Sequence, residues 1–437
     1  MRGKLGAAVL AALLGGCVHM APPPTAGCAL AAYPLRVDAG QAPTTRSPGS
    51  DFESVVRASM SAPPPTPGPG LAAAGRPSVL VLSGGSQHGA FGAGFFAGMA
   101  SVPDYKLVTG VSTGALQSTF LFLANTPVPA DRRFPAYFPA DAAHTNPGDL
   151  ALAYSIADES DLLDVGGHGT IGGVVRGAVG AFGPLRAVLA GLLSPDTLRA
   201  VGSQYRPDPR EGRRLLVGVT NINDGAGYAI DLTELAARFV AGALPYEKAR
   251  DCYVDALIAS SSVPLAVAPV TLEVATPAGP TRDLYIDGGA RFGVFWSQLG
   301  ELFETGLDPE VTLIVNGGLY AKPWRDADGA PQREWSAITL GLRSVEILEN
   351  QVYRFSVDNV QRYAGADGRL RMAFISREGL DARWGEPDAF VSEGRTCAEW
   401  RTEDRKAKPT EFHPRYMRCL VAYGRARGAA AAWNFTR

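Results

Sequence analysis

Short apolar runs recur along this chain with helical patterns between them. Val79 to Leu82 reads Val-Leu-Val-Leu, without a polar position. A strand with one wet face alternates apolar and polar residues, whereas a strand covered on both faces is apolar throughout. Lys106 to Thr109, Leu215 to Thr220, Asp283 to Ile286, Val311 to Asn316 and Arg371 to Ile375 are further candidates for covered strands. The small-residue stretch from about Gly89 to Met99 and the stretch from Thr113 to about Phe122 read as the helices between them. This alternation predicts an α/β fold, with a mainly parallel central sheet sandwiched by helices in three layers. No internal repeat is visible. Gly172 to Leu193 is apolar and glycine-rich, but Arg176 and Arg186 interrupt it, so it is too broken to span a membrane. It is expected to be a core or cap helix pair, the alternative being an amphipathic lid that meets a lipid surface.

The two ends of the chain change this picture. Arg2 and Lys4 precede the apolar stretch Leu5 to Leu14, which is too short for a membrane helix and reads as an export signal. Leu14-Gly15-Gly16-Cys17 resembles a bacterial lipoprotein processing site, which would leave Cys17 as a lipidated N-terminus; the alternative is a plain secretory signal. From Val18 to Pro77 there are 12 prolines in 60 residues, so most of this stretch is expected to be a tether, with a short helix around Asp51 to Met60 able to dock on the folded part. The expected division is a signal peptide over 1–16, a tether over 17–75, and a catalytic domain over 76–437. Within that domain a cap is expected at about 158–205 and a C-terminal extension at about 320–437. The extension completes the domain or adds a cap, and its tryptophans, from Trp324 to Trp433, are expected in the core or against lipid chains.

Hydrophobic residues make up 46% and charged residues 19%, which argues against wholesale disorder. A net charge of −2 gives no footprint for nucleic acid, and losing Arg2 and Lys4 would make the mature protein more acidic, so attachment to a membrane would rest on acyl chains. No CxxC or Cys/His cluster suggests a metal, and no cofactor is expected. Cys397 and Cys419 are close enough in sequence for a disulfide in an exported protein. Cys28 falls in the expected tether and Cys252 in a helix-like stretch.

Three short constellations carry the chemistry, each weak by itself. Gly110-Val111-Ser112-Thr113-Gly114 is a G-x-S-x-G sequence between a strand-like and a helix-like run. A serine on such a turn projects out of the sheet, and the glycines relieve crowding. Ser83-Gly84-Gly85-Ser86-Gln87-His88-Gly89 follows the first strand at the mouth of a helix, where N–H groups of Gly84, Gly85 and Ser86 could hold an oxyanion. A nucleotide-binding turn is the alternative, but Gly92-Ala93-Gly94 with Gly98 misses G-x-G-x-x-G by one residue, and no P-loop is present. Asp287-Gly288-Gly289 ends a strand-like run, and could equally be a simple turn.

Taken together and in this order, these residues resemble the patatin-like phospholipase family, over about Val79 to Asn316. Ala259 to Pro264 is similar to the small-residue segment that the family places before its aspartate strand, and Gly191-Leu192-Leu193-Ser194-Pro195 to a cap segment of some members. The resemblance implies a three-layer α/β/α fold and a Ser112–Asp287 dyad, with an oxyanion loop at 84–86. It also implies hydrolysis of membrane lipids or other acyl esters through an acyl-enzyme. Two positions depart from the family's usual Gly-Gly-Gly-x-Arg/Lys-Gly loop: Ser83 stands at the first glycine, where a mild effect is expected if only its backbone is used, and His88 at the basic residue. The sequence accordingly supports ester hydrolysis in general more than a phosphate-bearing substrate. Two other readings remain, a His-triad hydrolase using Ser112, Asp287 and His413, and an inactive lipid-binding protein on the same fold. His413 lies in a charged stretch and is expected at the surface. A lipidated Cys17 followed by Val18 favours the outer membrane, facing the periplasm. Acyl length, head group and oligomeric state are not encoded in any readable pattern.

Overall fold

The run Val79 to Leu82 becomes the middle of a ten-stranded sheet. The computed structural model of the chain describes residues 25–35, 52–61, 77–164, 178–295, 309–319, 324, 333, 335, 337–364, 369–376, 389–407, 409 and 411–436. Its strands in chain order are β1 (Ala32–Pro34), β2 (Ser78–Leu82), β3 (Leu107–Val111), β4 (Ala178–Gly180), β5 (Arg214–Asn221), β6 (Gly227–Asp231) and β7 (Leu265–Val267). There follow β8 (Val270–Val274), β9 (Thr281–Asp287), β10 (Glu310–Val315), β11 (Leu370–Phe374), β12 (Val391–Ser392), β13 (Arg395–Thr396) and β14 (Phe435–Thr436). The main sheet runs β1-β6-β5-β3-β2-β10-β11-β14, with β9 joined to β5 and β8 to β9.

The five strands β5-β3-β2-β10-β11 are parallel, as the unbroken apolar runs predict. Both faces are filled, with alternate side chains going to opposite sides. Leu80, Leu82 and Val108 join one core cluster with Phe91, Phe95, Leu121 and Leu257. Val79, Val81, Leu107 and Val111 join the other, with Phe52, Phe295, Val357 and Val360. Helices therefore cover both faces, and the family-like three-layer architecture holds. The small residues of the Gly89–Gly98 helix have a packing reason. A Cβ on Gly94 would lie 2.1 Å from the carbonyl oxygen of Val421, so this helix and Pro414–Ala429 touch backbone to backbone.

Apart from β9, predicted as a strand at Asp283 to Ile286, the antiparallel strands are the part the sequence reading left out. β1, β6, β8, β9 and β14 all run against their neighbours. The expected tether also needs correction, because part of it belongs to the folded unit. β1 pairs with β6, Cys28 forms a disulfide with Cys252, and the Phe52–Met60 helix buries Phe52, Val55 and Val56. Proline content hid these pieces. Pro34 sits in an edge strand, where a missing N–H costs nothing, and a three-residue strand is too short to register as a pattern. The helix near Asp51 to Met60 lies where the sequence predicts it, and Cys397 pairs with Cys419 as expected.

The C-terminal extension completes the domain. β11 and β14 extend the sheet, and the Ala337–Ala364 helix lines the cavity through Glu346, Glu349 and Tyr353. Of the segment read as cap or lid, residues 178–193 are described. β4 pairs with β7, and the Gly183–Leu192 helix buries Leu185, Leu189 and Leu192. Residues 172–177, Cys17 and Trp384 lie outside the described residues, as does most of 1–75.

Candidate active site

One strand brings the two candidate catalytic residues together. β5 pairs with β3 through Val111↔Gly218 and with β9 through Val219↔Asp287. Ser112 follows Val111 directly, so consecutive positions of β5 set Ser112 and Asp287 side by side. The shift of β5's partner from β3 to β9 takes place at this point, and a shift of partners opens a crevice at the strand ends. Both side chains are buried, Ser112 to 4% and Asp287 to 1% exposure. They open on a cavity of about 520 Å³.

Ser112 has φ 54° and ψ −127°, a conformation L residues seldom adopt, on the sharp turn between β3 and the Thr113–Phe122 helix. The turn is held from several sides. The N–H of Ser112 donates to Ser260 Oγ at 3.0 Å, and that hydroxyl donates to the carbonyl of Gly218 at 2.6 Å. The glycines of the motif permit the tight return: a Cβ on Gly110 would fall 2.4 Å from Gly114 O, and one on Gly114 would fall 2.5 Å from Leu82 O.

Asp287 Oδ1 accepts the N–H of Gly289 at 2.6 Å. Asp287 Oδ2 has no hydrogen-bond partner among the described residues. Burial pushes the Asp287 pKa up to about 7 from 3.8, against the smaller lowering effects of Ser112 and the Gly289 N–H. Among the described residues no histidine acts on it.

The loop after β2 lies against Ser112. A Cβ on Gly84 would come 3.0 Å from Ser112 Cβ, and Gly85 has φ 146°, with Asn316 and Gly317 backbone packed where a side chain would go. Among the described residues none accepts a hydrogen bond from the N–H of Gly84 or Gly85, so both donors are available. Ser83 does more than lend its backbone. Its hydroxyl accepts the Asn316 N–H at 2.8 Å and donates to Gly84 O at 2.7 Å, which fixes the loop. His88 turns Nδ1 toward Gly85 O at 3.1 Å and so steadies the same loop. Ser86 continues the loop with φ 48°, its hydroxyl donating to Glu411.

His413 is buried, contrary to the expectation of a surface residue. It precedes the Pro414–Ala429 helix, its N–H donating to Gln87 Oε1 at 3.2 Å and its Nδ1 facing Glu411 O at 3.3 Å. It lines the cavity, but the Asp287 carboxyl accepts from the Gly289 N–H and its other oxygen has no partner among the described residues, so the orienting contact that a triad needs is missing.

Several site residues gave no signal in the sequence. Tyr353 is fully enclosed, its hydroxyl beside Gly84 and Gly289, and burial together with the nearby Glu349 and Asp287 raises its pKa. Glu349, one turn earlier on the same helix, is held up to about 8 by burial first and then by Asp287, Glu411 and Glu346. Their spacing of four residues marks one helix face, but nothing in the sequence says what that face meets. Much of the cavity wall is apolar, with Leu116, Phe120, Leu150, Leu163, Leu185 and Leu189 lining it.

Among curated proteins none matches the chain. Residues 80–298 match the family described as Patatin-like phospholipase, a span that includes Gly84, Ser112 and Asp287 and stops before the Ala337–Ala364 helix. With that match over half its length and the three-layer fold, the chain belongs to the patatin-like phospholipase family, a family of lipid acyl hydrolases.

Proposed function

We propose that this protein is a serine acyl-ester hydrolase of the phospholipase A or lysophospholipase type, working through a Ser112–Asp287 dyad. The observation that carries the reading is the register on β5, which sets a strained, buried serine beside a buried carboxyl. Ser112 Oγ attacks the ester carbonyl carbon while its proton passes to Asp287. The oxyanion is held by the N–H groups of Gly84, Gly85 and Ser86. Collapse of the tetrahedral intermediate expels the alcohol, which takes the proton back from Asp287 and leaves an acyl group on Ser112. Water, deprotonated by Asp287, then releases the fatty acid and restores the serine. A carboxyl with a pKa of about 7 is a far better base at neutral pH than one near 4. The apolar wall of the cavity suits an acyl chain.

The test is a fluorophosphonate probe together with product analysis of lipid extracts. Wild type should label and release fatty acid, and Ser112→Ala should do neither. An unlabelled wild type at neutral pH with a lipid interface present would favour the inactive lipid-binding reading. We also propose export and anchoring through a lipidated Cys17, in the outer membrane facing the periplasm. Two disulfides in the described residues support an oxidising compartment. Cys17→Ser should shift the protein from the membrane to the soluble fraction.

A further inference from the structure

Part of the cavity wall is built from carboxyl groups contributed by separate elements. Asp287 closes β9, Glu346 and Glu349 come from the Ala337–Ala364 helix, and Glu411 comes from the segment before the last helix. The cations among the described lining residues are Arg343 and Arg401. Arg343 is engaged by Glu346 at 2.8 Å, and Arg401 acts on Glu411. His88 and His413 also line the cavity, each turned to a backbone carbonyl, and the Tyr154 and Tyr353 hydroxyls complete the polar wall. Glu349 stands apart from this pairing. Among the described residues it makes no hydrogen bond or ion pair, and the charged groups acting on it are all carboxyls.

A carboxyl opposed only by other carboxyls is a poor neighbour for an anion. It suits a hydroxyl or a cation, either of which would supply the partner it lacks. We propose that the site selects acyl esters whose alcohol portion is uncharged or cationic, and that Glu349 discriminates against an anionic group there. The proposal rests on the acyl-ester hydrolase reading above. Glu349 is contributed by a helix beyond the span that matches the family, so this selectivity belongs to the extension.

The experiment compares three esters of one acyl chain: a monoacylglycerol, an acylcholine and an acylglycerol phosphate, with Ser112→Ala as blank. At pH 9, where Glu349 is ionised, the phosphate ester should have a kcat/KM lower than the other two by about tenfold or more, the scale of one unscreened charge at close range. The gap should widen between about pH 7 and pH 9, as Glu349 loses its proton. Glu349→Gln should shrink the gap and flatten its pH dependence, with fluorophosphonate labelling of Ser112 to check that the variant's site is intact. Ser112-dependent turnover with equal rates for all three esters would overturn the proposal and leave the hydrolase reading standing, as would a gap unchanged in Glu349→Gln. Absence of Ser112-dependent turnover on every ester would remove the hydrolase reading and the proposal with it.

Discussion

To act as the proposed base Asp287 has to be charged, yet its surroundings favour the neutral form. The rate should therefore rise with pH through an apparent pKa near 7, visible in kcat/KM for a neutral ester. The same carboxyl affects folding with the opposite sign. Its native pKa is raised above the unfolded value, so any stability it contributes is fully present below about pH 4 and is lost as pH climbs to about 7. Asp287→Asn should cut turnover by ~10³-fold or more, while raising stability at pH 8 by on the order of 1–3 kcal/mol relative to its effect at pH 4. Parallel denaturation and rate profiles check both halves. Ser260 is the second residue to probe, since it holds the strained turn and is not among the residues lining the cavity. Ser260→Ala leaves the Ser112 N–H and Gly218 carbonyl without that partner, at about 1–3 kcal/mol in stability, and should lower kcat more than it raises KM.

At the scale of elements, the N-terminal stretch gives the clearest case of tertiary structure overriding composition. Gly27 to Leu35 reads as linker, yet it supplies an edge strand and one half of a disulfide. The bridge spans 224 residues of sequence and ties β1 to the Tyr246–Ser260 helix, whose C-terminal end carries Ser260. Cys28→Ser should cost about 2–5 kcal/mol and lower the thermal midpoint, measured by parallel thermal denaturation of variant and wild type. The Gly89–Gly98 and Pro414–Ala429 helices make a second test. Gly424→Val would push a side chain into Phe91 O, 2.1 Å from an ideal Cβ, and should destabilise by several kcal/mol or shift the whole last helix.

For the whole molecule, the ends of the parallel strands open a crevice that three separate parts of the chain close. The Gly183–Leu192 helix gives the apolar wall, the Ala337–Ala364 helix the acidic one, and the segment from Glu411 to His413 the third side. None of the described helices is long and apolar enough to cross a membrane. Exposed Leu340, Ile347, Leu348 and Phe355 on the outer face of the Ala337–Ala364 helix make that face apolar beside the cavity.

The sequence by itself determined what depends on local pattern. Unbroken apolar runs fixed the parallel strands, and the glycines around Ser112 and after β2 marked turns that only small residues tolerate. The order of those motifs was enough to name the family. The tertiary structure decided what depends on residues far apart in the chain. The shift of β5 from β3 to β9 joins Ser112 to Asp287, the Cys28 partner lies 224 residues away, and Glu349 and Tyr353 reach the site from a helix with no motif of its own. The physical reason is that a carboxyl's pKa and a cavity's charge arise from neighbours in space, and a helix face carries no sign in its sequence of what it will be packed against.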